Sequence, residues 1–153
     1  MTQRHGPTAA TSTSVLDMLA QAQSGGTRFS HTERVLYTAC EFWVATVNRS
    51  LGRHLGIIPK VILRDAEAAF AAIEIPTVAD LLRDARVSLV AAETPAAAGE
   101  VIARLQRTLE HVSEPVDNLI GKFAIEQTWS RLKRPTFEAI EAAALSQAEA
   151  QVG

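Results

Sequence analysis

The side chains of this 153-residue chain best suited to chemistry crowd into one stretch, residues 29–43, FSHTERVLYTACEFW. It holds a histidine, the single cysteine, the single tyrosine and one of the two tryptophans. A cysteine attacks only as thiolate, which needs a nearby base or a helix N-terminus to depress its pKa. Cys40 lies more than two turns into the helix that this stretch opens, in line with Leu36 and Trp43. Free cysteine is among the most buried residue types, so a core residue is expected there. A metal held on one helix needs ligands spaced as in Glu-x-x-His or His-Glu-x-x-His. None of His5, His31, His54 and His111 lies three residues after a glutamate or four from another histidine. His31 and Glu33, two apart, do not share a helical face. The expectation is therefore no catalytic, cofactor-binding or metal-binding residue within any one segment, and the balance is against an enzyme.

Two stretches resemble known motifs in outline. Phe29-Ser30-His31-Thr32-Glu33-Arg34 resembles the phosphoacceptor box of sensor histidine kinases over about six residues. It departs from that box where Thr32 follows the histidine and Leu36 takes the proline position, and the chain has no Gly-rich phosphate loop. A capping box accounts for the same residues: the Ser30 hydroxyl accepts the third backbone N–H and Glu33 reaches back to the Ser30 N–H. Residues 77–93, TVADLLRDARVSLVAAE, resemble a helix-turn-helix, with Ala85-Arg86-Val87 as the turn. Arg86 stands where glycine is common, and the second helix would carry an acid and no base. Reading bases or gripping phosphate needs Arg, Lys, Asn or Gln there, so one continuous amphipathic helix is the better account.

The elements that would position these residues are all helices. Twenty-six alanines against six prolines and eight glycines favour them. Ser12 or Ser14 would cap a first helix that stops at Gly25-Gly26; Ser30 starts a long one, about 31–55, ended by Gly56. Pro59, Thr77, Thr94-Pro95, Ser113-Glu114-Pro115 and Pro135-Thr136 start five more. Apolar residues recur at helical spacing, as in Val101, Ile102, Leu105, Leu109 and Val112. The long second helix is apolar around much of its circumference, the mark of a central element. The predicted fold is an all-α, single-domain bundle of six to seven mostly antiparallel helices around a long central helix at 31–55. A flexible polar tail (residues 1–14) precedes one helical domain (residues 15–153).

Composition narrows the function classes. The net charge is −2, but residues 1–64 carry seven Lys/Arg against three Asp/Glu (+4), and residues 65–153 carry eight against fourteen (−6). The early cations concentrate in Arg49, Arg53, Lys60 and Arg64. A dedicated nucleic-acid protein shows a stronger basic excess. One cysteine makes no intrachain disulfide, and a reducing cytoplasm is the expected compartment. No apolar run is long enough to span a bilayer, and no membrane partner is expected. Trp129 sits among Arg131, Lys133 and Arg134, residue types that anchor interfaces. The candidate interaction surface is thus Arg49, Arg53, Trp129, Arg131 and Arg134. The expected function is a non-enzymatic helical interaction or self-associating module, with a protein partner or a homo-oligomer. The alternatives are a small-molecule-binding protein or small enzyme with a site between helices, and a weak DNA-associated regulator.

Overall fold

The computed structural model describes residues 7–129, and side chains through residue 126. The described chain is all-helical: α1 (Ala10–Ser24), α2 (His31–Val47), α3 (Leu51–Leu55), α4 (Pro59–Ala72), α5 (Pro76–Ala91), α6 (Pro95–Glu110) and α7 (Val116–Phe123), then a π-helical stretch, Ala124–Trp129. The last expected helix, from Pro135-Thr136 onward, lies outside the described residues.

α2 is the central element. It packs against α1, α3, α4, α6 and α7, and buries Leu36, Ala39, Cys40, Phe42 and Trp43. Three-residue connections after α4 and α5 reverse the chain, so α4, α5 and α6 pack as successive neighbours. Phe42 and Phe70 meet edge-to-face with centroids 5.9 Å apart, joining α2 to α4. The Ser30 capping box forms as expected: Ser30 Oγ accepts from the Glu33 N–H at 3.3 Å, and Glu33 Oε1 accepts from the Ser30 N–H at 2.7 Å.

The central helix is not continuous. It breaks after Val47, and α3 resumes at Leu51. The break is a Schellman turn: the Arg49 N–H donates to Thr46 O and the Ser50 N–H to Ala45 O. Arg49 occupies its left-handed position with φ 56°. Glycine normally marks this turn, so an arginine there hides it. The same motif ends α4, with Glu74 at φ 66° and the Ile75 N–H donating to Phe70 O. At Gly56, with φ 57° and ψ −137°, the backbone does require glycine, and α3 ends there.

α1 also starts earlier than Ser12 or Ser14 would place it. Residues 10–14, assigned to the tail by local composition, form its first turns. The N-cap residue is Ala9, whose side chain caps nothing. The cap comes from α7 instead: Asp117 Oδ2 accepts from the Thr11 N–H at 3.0 Å, and Oδ1 from the Ser12 N–H at 2.7 Å and the Ser12 hydroxyl at 2.6 Å. A carboxylate at this end satisfies orphan amides and meets the positive end of the helix dipole. The helices approach closely there, because a Cβ on Gly121 would stand 2.5 Å from Thr11 Cγ2. The Trp43 indole N–H donates to Thr8 O at 2.8 Å, fastening the segment before α1 to α2.

α5 runs unbroken through the proposed helix-turn-helix turn, so no turn forms at Ala85–Val87. Arg86 ion-pairs with Glu67 of α4 at 2.9 Å instead. Thr94 accepts from the Ala97 N–H at 3.0 Å and starts α6 separately.

Candidate functional site

A cleft lies where α6 passes to α7. It measures about 420 Å³ and is lined by Glu110, His111, Glu114 and Asp117 together with Trp43 and Thr8. The four are neighbours along the chain, shaped into one wall by a helix end and a proline turn, and Trp43 and Thr8 join them from distant positions. His111 is the C-cap of α6, and Ser113-Glu114-Pro115 carries the chain into α7.

Each carboxylate in the wall already holds part of the fold. Glu110 accepts from the Gln106 amide at 3.0 Å and pairs with Arg49 Nε at 3.3 Å. Gln106 also donates to Thr46 O at 2.7 Å, across the end of α2. Glu114 accepts from the Thr77 hydroxyl at 2.7 Å. That hydrogen bond, helped by its own backbone amide and by Ser113, holds the Glu114 carboxyl below its ordinary range. Asp117 caps α1. The His111 Nδ1 lies 2.7 Å from Arg107 O, an atom that only accepts, so Nδ1 donates in that contact. The cleft thus presents acceptors, an imidazole and an indole. That arrangement suits recognition of a small polar or cationic molecule more than covalent chemistry.

The opening stretch stays out of this cleft, apart from Trp43. His31 is exposed in the first turn of α2. Cys40 is fully buried, and its thiol is pushed up to about 12 by burial first, then by the negative charges of Asp117 and Glu41. No thiolate forms there near neutral pH. His54 packs edge-on against Phe42 with centroids 6.0 Å apart, and it does not join His111 in the cleft. No group of three His, Cys, Asp or Glu side chains able to hold a metal occurs among the described residues.

Of the five residues in the candidate interaction surface, two are placed. Arg49 sits on the turn between α2 and α3, its side chain 81 % exposed against Glu110 of α6. Arg53 is exposed in the last turn of α3. The Trp129 backbone closes the π-helical stretch. The Trp129 side chain, Arg131 and Arg134 lie outside what the structure describes. Sequence reasoning missed Asp117 and Gln106, and read Ser12 as a cap of its own helix rather than as a donor to Asp117. Their partners are distant in sequence, so no local spacing signals them.

Comparison with models of known protein families, with curated proteins and with solved structures yields no match for this chain.

Proposed function

We propose that the chain is a non-enzymatic helical interaction module that self-associates or docks a protein partner through the outer face of α5. One observation carries this reading: Val87 and Val90 are 60 % and 66 % exposed, one turn apart on a helix whose other face is already packed. Exposed Ala91 extends the patch. A contiguous apolar surface rimmed by charge is the usual mark of an interface. Asp84 and Glu93 supply that rim. A lone buried cysteine suits a reducing compartment, so we place the module in the cytoplasm.

Light scattering over a range of concentrations tests the reading. The expected mass rises above the 16.5 kDa of one chain. A chain with both Val87→Glu and Val90→Glu returns to that single mass. A strict monomer that recovers no partner from native cytoplasm overturns the reading.

The cleft beside His111 favours a second reading, a small-molecule-binding protein. A ligand that binds the native state raises its apparent stability, and Trp43 lines the site as a fluorescent reporter. A panel of amines and other small polar compounds that moves neither the melting temperature nor the tryptophan emission removes it.

A further inference from the structure

The most exposed large apolar side chain among the described residues is Ile57, at 98 %. It stands on the link between α3 and α4, beside Ile58 at 51 % and Val61 at 39 %. Gly56, with φ 57°, makes the sharp turn that carries the pair outward. Residues 42–64 contain no Asp or Glu, but four cations: Arg49, Arg53, Lys60 and Arg64. All four are exposed. Lys60 and Arg64 lie one turn apart on α4 and bracket Val61. Arg49 and Arg64 each meet one carboxylate, whereas Arg53 and Lys60 have no ion-pair partner among the described residues.

We propose that this knuckle docks on an anionic lipid surface, with Ile57 and Ile58 entering the headgroup boundary and Arg53, Lys60 and Arg64 meeting the lipid phosphates and carboxylates. An isoleucine almost fully in water gains by burial wherever a deformable apolar phase is offered. A convex tip of two isoleucines does not make the broad, close-packed contact of a protein interface. A nucleic-acid duplex would use the cations and leave both isoleucines in water. A lipid interface uses both features, since each Lys or Arg near an anionic leaflet adds to the attraction and apolar side chains enter the acyl boundary. No helix among the described residues is long and apolar enough to cross a membrane, so the contact is peripheral. It is independent of the α5 face.

Co-sedimentation of the whole chain with phosphatidylcholine vesicles, with and without phosphatidylserine, tests the proposal. The chain is expected to partition onto the serine-containing vesicles, to leave neutral ones in solution, and to be released by salt. Ile57→Ser with Ile58→Ser reduces partitioning about tenfold or more. Arg53→Ala and Lys60→Ala reduce it about fivefold each. All four positions are exposed, and circular dichroism checks that each variant keeps the wild-type fold. Absence of binding to anionic vesicles overturns the proposal, as does binding that the isoleucine variant retains. Duplex DNA binding in place of vesicle binding assigns the cations to nucleic acid. Loss of self-association on Ile57→Ser without vesicle binding assigns the tip to a protein contact. Either result refutes the lipid surface.

Discussion

Cys40 and Trp43 show how far a side chain's type is from its role. Both are reactive or anchoring types, and both lie in the core, 0 % and 2 % exposed. The raised thiol pKa has a stability consequence. Above the ordinary value of 9.0 the unfolded cysteine loses its proton while the folded one holds it up to about 12. The unfolded state then binds fewer protons, so stability falls as pH rises through that window. Denaturation of wild type and Cys40→Ala across the same pH range checks this: the wild type should lose stability relative to the variant on the alkaline side. Trp43 buries its ring and donates its N–H to Thr8 O. Trp43→Ala should cost about 3–5 kcal/mol by urea denaturation. An unchanged midpoint would place the ring outside the cooperative core.

At the scale of the element, the helix starts were more legible than the stops. Ser30 with Glu33, Thr94, and the prolines at 59 and 95 act within a few residues of themselves, so spacing alone reveals them, whereas α5 starts at Pro76 and not through a Thr77 cap. Ser30→Ala should cost about 1 kcal/mol through the lost cap. Stops depend on which residue accepts a left-handed backbone. Two Schellman turns use Arg49 and Glu74 in place of glycine, and the first of them splits the expected 31–55 helix. A residue with a Cβ pays about 1 kcal/mol in that conformation. Glu74→Gly should therefore stabilise the protein by roughly 0.5–1 kcal/mol, read as a raised melting temperature. Arg49→Gly should gain less, because it also loses the pairing with Glu110.

At the scale of the molecule, the ends of the described chain are tied together. The Asp117 carboxylate spans a sequence separation of more than one hundred residues to hold the first turn of α1. Removing it strands the buried Ser12 amide and hydroxyl and the half-buried Thr11 amide. Asp117→Ala should cost about 3 kcal/mol. Hydrogen exchange should show the loss first in the amides of α1; uniform loss across all helices would mean that α1 is not separately held.

The all-helical class, five helix starts within residues 30–116 and the burial of Leu36, Cys40 and Trp43 follow from local rules: 3.6-residue periodicity, capping chemistry and the fixed φ of proline. These need only neighbours along the chain. The start of α1 at Ala10, the break at Arg49 and the meeting of Thr8 and Trp43 with residues 110–117 around one cleft do not. Each depends on a partner brought near by packing, through an amide, a carbonyl or a carboxylate that one segment leaves unsatisfied and another satisfies. The exposure of Ile57 belongs with them, since only the packing of the bundle decides that it stands in water.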